Sequence, residues 1–277
     1  MWWPSVGMDG SMEQLQVSAD VLTALHELSP ASPDIDPIRQ WLILQKEARN
    51  WGSSVTTSEV ICAILSSSKS WIQPAAPATI SVGSHQVPAS YSDATLGYLR
   101  TDISALSPSL AELSIVKSGS TPSWGAVYSQ SRMTMTDIAP ASCEAVSIEK
   151  RLYRLQGTEW LQADTLHVGD RVKVQLLIHA DRAMQYVAIT DSRAACLEPV
   201  EQLPTPIFSQ GLCFYRENLD ASTRLFISNL PRGTYMLEYE LWVNNAGTFS
   251  SGIATLQSQY APQLSAHSAG SLLPVAP

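Results

Sequence analysis

The sequence predicts an α+β protein, in which a short N-terminal helical segment is followed by two antiparallel β-sandwich regions. Up to residue 73, apolar residues recur at the three- and four-residue spacing of amphipathic helices. From Pro74 onwards, prolines and turn clusters separate short stretches in which apolar and polar residues alternate, which is typical of half-buried strands. The expected organisation is a helical segment at residues 1–73, a linking β domain at 74–145 and a β-sandwich at 146–277.

Three helices are expected in the first segment. The first has its apolar face within residues 14–28 and ends at a Ser-Pro pair. Asp36 is expected to cap the second, because Pro37 suits the first helical position. Residues 56–59 form a capping box that opens the third helix. Such helices expose a broad apolar face, so we expect them to pack on the β regions or to mediate a homodimer.

The candidate strands follow a period of two. The clearest alternation places one apolar face on Val172–Ile178 and another on Tyr235–Val243. Four carboxylates border these strands and are expected to serve turns: Asp164, Asp170, Asp181 and Asp191. In the linking region the candidate strands are residues 79–82, 95–99, 113–117 and 126–131.

Composition excludes several classes of function. The formal net charge is −8 and only 15% of residues are charged, which argues against a protein that binds the phosphate backbone of nucleic acids. No apolar run approaches the length that spans a bilayer. Residues 1–4 contain no basic region of a signal peptide, so the chain is expected to be either cytosolic or a piece of something larger.

The four cysteines are too few for a disulfide scaffold in a chain of this length. No pair has the C-x-x-C spacing of a zinc or thioredoxin-type site. Cys196 and Cys213 are close enough in sequence to close a short loop, and they are either a disulfide or two free thiols. Residues 196–199 are similar to an internal thioester motif, but Pro199 stands where that chemistry needs a glutamine side chain.

No sequence motif indicates catalysis or a cofactor. The five histidines lack the spacing of a metal site, and no nucleophile elbow or phosphate-binding glycine loop is present. We therefore expect no enzymatic activity, no metal and no cofactor. A hydrolase site assembled in space from distant residues is the remaining enzymatic alternative.

A series of short motifs over residues 146–270 resembles the C-terminal part of bacterial α2-macroglobulins. Residues 186–199 resemble the family's stretch v-x-D-x-x-P-A-G-x-E-P, with Ala195 and Cys196 replacing two of its small residues. Further motifs follow in the family's order, at residues 215–218, 226–235, 239–241, 246–249 and 260–262.

The upstream part of the chain resembles the same family. Residues 38–45 and 60–65 are similar to the last helices of its α/α toroid, and residues 2–4 to a tryptophan-rich turn there. Residues 74–145 are similar to the β region that joins the toroid to the terminal sandwich.

This resemblance implies a non-enzymatic structural or docking module of a macroglobulin-like protease trap, in which the full-length protein inhibits many endopeptidases. The bait region and thioester of such a trap would lie outside this chain. The implied partners are the rest of the parent chain and, through it, proteases. The implied location is the periplasm or the cell surface.

The alternative function is an adhesion or carbohydrate-binding β-sandwich. It depends on an aromatic platform for sugar stacking, for which the candidates are Trp124, Tyr128, Tyr153 and Trp160. The competing interpretation places these aromatics in the sandwich cores.

Overall fold

The computed structural model describes residues 10–48, 51–68, 78–93, 97–103, 112–119, 123–128, 130–162 and 165–277. The chain divides into two compact units, one of residues 1–42 with 51–129 and the other of residues 43–50 with 130–277. Helices occupy the start and mostly antiparallel strands the remainder, so the predicted α+β class is confirmed. The three-part domain division at residues 73 and 145 stays a prediction.

The N-terminal helices are α1 (Gly10–Leu28), α2 (Ile35–Ala48) and α3 (Ser54–Ser67). Leu15 and Leu22 of α1 are buried, and α1 packs against α3. Leu28, the last residue of α1, is exposed. Among the described helices, none is long and apolar enough to cross a membrane.

The predicted start of α3 was wrong by about one turn. Ser53 is the N-cap, and its side chain accepts a hydrogen bond from the Thr56 backbone N–H at 3.1 Å. Thr56 is therefore inside the helix and wholly buried. Ser53 lies three residues before Thr56, and its hydroxyl can cap the helix in the same way as the predicted box. The helix therefore begins at the earlier of the two capping residues.

The linking strands are β1 (Ala78–Val82), β2 (His85–Val87), β3 (Tyr91–Asp93), β4 (Tyr98–Arg100) and β5 (Leu113–Lys117). They form a sheet of order β2-β1-β5 and a separate β3-β4 pair, all antiparallel. The candidate strands at 79–82 and 113–117 are confirmed. The strand predicted at 126–131 was wrong, because its described residues are irregular and exposed. Of the strand predicted at 95–99, residues 98 and 99 lie in β4, whereas residues 95 and 96 are outside the described residues.

Two sheets in the second unit enclose its core. The strands are β6 (Val146–Gln156), β7 (Glu159–Gln162), β8 (Leu166–His167), β9 (Arg171–Ala180), β10 (Met184–Ser192), β11 (Leu197–Pro199), β12 (Thr205–Ser209), β13 (Leu212–Asn218), β14 (Ser222–Leu230), β15 (Gly233–Val243), β16 (Gly247–Ser250), β17 (Ala254–Ser258), β18 (Ser265–His267) and β19 (Leu272–Ala276). One sheet has the order β12-β13-β14-β10-β17-β18 and the other β11-β15-β9-β6-β7, while β16, β19 and β8 form a smaller third sheet.

The alternation predicted for β9 and β15 sets their register. Val174 pairs with Tyr239 and Leu176 with Leu237, so the buried faces of both strands coincide. Their side chains join those of Ile189 and Leu225 from the six-stranded sheet in one apolar cluster. The core is therefore built from the inward positions of both sheets, as in a β-sandwich.

Candidate functional site

Three polar side chains meet in the largely apolar core of this sandwich. Lys150 lies on β6, Asp191 on β10 and Tyr239 on β15. Each occupies an inward position of its strand, two residues from a buried aliphatic side chain. The strand period therefore forces all three into the core, where each needs a partner.

The Lys150 ammonium has an acceptor for each of its three protons. Its Nζ lies 2.6 Å from Asp191 Oδ1, 2.9 Å from the carbonyl oxygen of Ser192 and 3.0 Å from that of Ser251. The second carboxylate oxygen of Asp191 accepts a hydrogen bond from the Tyr239 hydroxyl. The side chains of Lys150 and Asp191 are only 7% and 1% exposed. This buried ion pair joins the two sheets across the core.

Gly252 allows the Ser251 carbonyl oxygen to reach the Lys150 ammonium. Gly252 has a φ of +70°, and a Cβ added there would lie 2.3 Å from the carbonyl oxygen of Ser192. Only glycine permits both this backbone conformation and this close approach. The absence of a side chain therefore lets the 251–252 backbone lie beside Ser192, so that both carbonyls face Lys150.

The expectation that Asp191 serves a turn was wrong, whereas Asp170 fulfils it. Asp170 Oδ2 accepts a hydrogen bond from the His167 backbone N–H at 2.8 Å in the turn before β9. Asp191 lies within β10, in phase with the buried Val187 and Ile189. That phase was visible in the sequence, but its partner Lys150, 41 positions earlier in the chain, was not.

A cleft of about 540 Å³ opens beside the chain that links β11 to β12. Two ion pairs lie among its lining residues: Arg216 with Glu201, and Arg171 with Glu240 at 2.5 Å. Its described lining includes no histidine, cysteine or serine. In the described part of the chain, no cluster of histidine, cysteine and carboxylate groups could hold a metal ion.

The polar cluster, Gly252 and the cleft lie within residues 146–263, which match the family model of the bacterial alpha-2-macroglobulin MG10 domain. These residues are similar to that domain, and we call them the MG10 domain after the model that they match. The recognition drawn from the motif series is confirmed, and its central aspartate is the buried Asp191.

Solved structures of bacterial α2-macroglobulins match 95% of the chain. The Salmonella protein reacted with methylamine is 21% identical, with a TM-score of 0.43 over 17% of its chain. The trypsin-activated Escherichia coli protein is 18% identical, with a TM-score of 0.49 over 19% of its chain. The native E. coli segment from MG7 to the C-terminus is also 18% identical, with a TM-score of 0.42 over 42% of its chain.

The present chain therefore spans less than half of the length of each of these structures. No curated protein shows significant similarity to it.

The two cysteines of the suggested disulfide have different surroundings in the MG10 domain. Cys196 is wholly buried, whereas Cys213 is exposed on β13 between the buried residues Leu212 and Phe214. All four cysteines are free thiols in the structure. A disulfide needs the two Cβ atoms about 4 Å apart, which outward and inward positions disfavour. The 196–213 bridge stays a prediction, and this geometry favours two thiols.

Native thiol labelling is expected to separate the cysteines by exposure. Cys213 and Cys62 should react rapidly with a maleimide, while Cys196 should react only after unfolding. Burial shields Cys196 and also raises the pKa of its thiol, which lowers the fraction of reactive thiolate. Peptide mapping of the labelled chain measures this, and recovery of a 196–213 disulfide peptide from non-reduced protein would contradict it.

The hydroxyl of Tyr239 is expected to make the MG10 domain sensitive to alkali. Burial, followed by the charge of Asp191 and its hydrogen bond, raises the pKa of Tyr239 well above its usual value. The folded state thus holds this proton more tightly than the unfolded chain. The resulting stability is complete below the unfolded pKa of about 10 and is lost as pH rises from there toward the folded pKa.

Urea unfolding of the wild type and of Tyr239→Phe at increasing alkaline pH tests this assignment. The wild type should lose free energy of unfolding more steeply than the variant, which has no phenol to titrate. Parallel curves would show that Tyr239 does not cause the alkaline loss.

The four aromatics considered for a sugar platform are in different settings. Trp124 and Tyr128 are exposed in the irregular segment 123–128, whereas Trp160 and Tyr153 are half-buried. Lys173 Nζ lies 4.5 Å from the ring centre of Trp160 and so occupies that ring's face.

Sequence reasoning missed a larger aromatic surface on the outer side of the six-stranded sheet. Tyr215 pairs with Pro206 on one side and with Phe226 on the other. Tyr186 and Tyr260 form an edge-to-face pair with ring centres 5.2 Å apart. We call Phe208, Tyr215, Phe226, Tyr186 and Tyr260 the aromatic face, and all five are exposed. Tyr215 and Phe226 alternate with core residues of their strands, and this alternation in the sequence was the signal that could have found them.

Proposed function

We propose that this chain is a non-enzymatic structural and docking module of a longer macroglobulin-like protease trap. The observation that carries the proposal is the MG10 match over residues 146–263. The share of the solved α2-macroglobulin chains that it spans supports its place within a longer parent chain. Protease inhibition would belong to that parent, which we place in the periplasm or at the cell surface.

The chemistry of the core supports a structural role. Each proton of Lys150 and each carboxylate oxygen of Asp191 is already engaged within the domain. The acidic residues Glu201 and Glu240 at the cleft are paired with arginines. These groups stabilise the fold by pairing with one another.

The aromatic face supports the docking role. Phe208 is 81% exposed, and the strand register places it on the same side of the sheet as Tyr215 and Phe226. Tyr260 is 74% exposed and contacts the exposed Tyr186. Exposed apolar surface of this kind marks an interaction site, and aromatic residues are enriched at the centres of interfaces. We assign the rest of the parent chain as the partner of this face.

A protease assay with the chain added tests the proposal. It uses two substrates, one large protein and one small chromogenic peptide. The chain alone should protect neither, because trapping requires the parent. Protection of the large substrate alone would mean that this chain traps proteases without a separate bait region. Protection of both would mean direct inhibition of the protease active site. Either result would overturn the proposal.

The docking role is tested in the parent protein by Phe208→Ser and Tyr215→Ser. Each should weaken protection of the large substrate, because the docking surface is lost while the core is untouched. Tyr128→Ser is the matched control, since Tyr128 is exposed but belongs to the other compact unit. Equal protection by all three variants would remove the aromatic face from the proposal.

Sugar binding remains the alternative, to be tested with a glycan array. The edge-to-face angle of 81° between Tyr186 and Tyr260 differs from the coplanar arrangement that a sugar platform needs. A specific glycan signal that Phe208→Ser abolishes would favour that alternative.

A homodimer through the helical segment is also part of the proposal. Val17 of α1 and Ile61 and Leu65 of α3 are exposed apolar side chains. Sedimentation of the chain at several concentrations tests it, and a dimer that Ile61→Ser disrupts would support it.

A further inference from the structure

We propose that Lys150 and Asp191 condense to an amide, so that a covalent cross-link joins the two sheets of the MG10 domain. The ion pair between them is sealed in the core and connects β6 of one sheet to β10 of the other. The reaction would be carried out by groups of this chain alone.

The nucleophile is held against its target. Lys150 Nζ is 2.6 Å from Asp191 Oδ1, and its two other N–H bonds point to the carbonyl oxygens of Ser192 and Ser251. When the proton on the Nζ–Oδ1 line passes to the carboxylate, the new nitrogen lone pair points at Oδ1, and a movement of Nζ toward Cγ would start the attack. The two carbonyls hold Nζ beside the carboxyl group, and such positioning gives intramolecular reactions their high effective concentration.

Tyr239 occupies the place of an oxyanion donor. Its hydroxyl donates to the second carboxylate oxygen of Asp191, on which negative charge would grow during the attack. Tyr239 is itself buried, so water does not compete for this hydrogen bond. The elevated pKa of Tyr239 keeps the hydroxyl protonated throughout the neutral range.

The atoms balance without any co-reactant. The transferred proton first makes Lys150 a neutral amine and Asp191 a neutral acid. A bond forms between Nζ and Cγ, the bond between Cγ and Oδ1 breaks, and Oδ1 leaves as water with the transferred proton and one further proton from Nζ. No oxidation occurs. The product replaces two buried charges by a neutral amide, which removes the desolvation cost of a buried ion pair.

Intact-mass measurement of the folded chain during prolonged incubation is the test. The expected result is a loss of one water molecule and a branched proteolytic peptide that links Lys150 to Asp191. A mass that stays at the value calculated from the sequence would overturn the proposal, as would recovery of both residues only in unbranched peptides.

A competing dehydration requires a control. Asp191 precedes Ser192, and this pair can lose water by closing a succinimide on its own backbone. Lys150→Arg keeps that pair and the positive charge but removes the amine, so the water loss should disappear. Water loss of equal extent in this variant, with no branched peptide in the wild type, would assign the loss to the succinimide and overturn the cross-link.

Tyr239→Phe tests whether the Tyr239 hydroxyl acts as the oxyanion donor. Loss of a single oxyanion-hole donor slows acyl transfer by about 10²–10³-fold, and a slowing of that order in amide formation is expected here. An unchanged rate would overturn the role assigned to Tyr239. The branched peptide of the wild type is decisive by itself if a variant does not fold.

Discussion

Replacing Asp191 with alanine is expected to lower the free energy of unfolding of the MG10 domain by about 3–5 kcal/mol. The substitution leaves the Lys150 ammonium in the core with only two carbonyl acceptors and no counter-charge. It also takes away the acceptor of the Tyr239 hydroxyl, which is buried. An uncompensated buried charge costs far more than the loss of an exposed pair.

Urea unfolding followed by aromatic circular dichroism measures the effect. Asp170→Ala is the matched control, since its carboxylate serves a turn and is partly exposed. The paired change Lys150→Met with Asp191→Leu should recover much of the loss, because both charges then leave the core together. An effect of Asp191→Ala no larger than that of Asp170→Ala would refute a stabilising role for the cluster.

Gly252→Ala is expected to lower the free energy of unfolding of the sandwich by more than about 3 kcal/mol. The φ of +70° strains any residue with a side chain, and the new Cβ would meet the Ser192 carbonyl at 2.3 Å. Because that oxygen is backbone, the 251–252 segment must move away from it. The movement withdraws carbonyl acceptors from Lys150 and so couples the glycine to the ion pair.

The Gly157→Ala variant distinguishes the cost of backbone strain from the cost of a steric clash. Gly157 also has a positive φ, of +64°, but a Cβ there would meet nothing within 4 Å. Its replacement should cost about 1–2 kcal/mol, from the left-handed backbone conformation alone. Combining Gly252→Ala with Lys150→Met should cost less than the sum of the two single changes, since both disturb the same contacts. Strict additivity would show that Gly252 acts independently of the cluster.

The cluster of Lys150, Asp191 and Tyr239 explains a sequence motif whose structural role the sequence alone did not reveal. Asp191 belongs to the stretch 186–199 that resembles the macroglobulin pattern, and the structure places it opposite Lys150 and Tyr239. Cys196, in the same stretch, is wholly buried, so a small side chain suits that position. The motif therefore marks a packing requirement at the centre of the sandwich.

The sequence by itself determined the succession of helices and strands and the inward faces of β9 and β15. Those features depend on local periodicity, and a chain that alternates apolar and polar residues can bury only one face of a strand. It also indicated the macroglobulin family, because the order of short motifs can be read directly from the sequence. Local reasoning was less successful at α3, where two capping signals three residues apart competed, and at 126–131, where alternation occurs without a strand.

Only the tertiary structure decided which polar residues meet. Lys150, Asp191 and Ser251 lie on separate segments of the chain, and Lys150 and Ser251 are 101 positions apart. The aromatic face likewise arises from the register of neighbouring strands. Pairing across sheets depends on long-range register and on close backbone approach at Gly252, and neither quantity is encoded in the spacing of neighbouring residues.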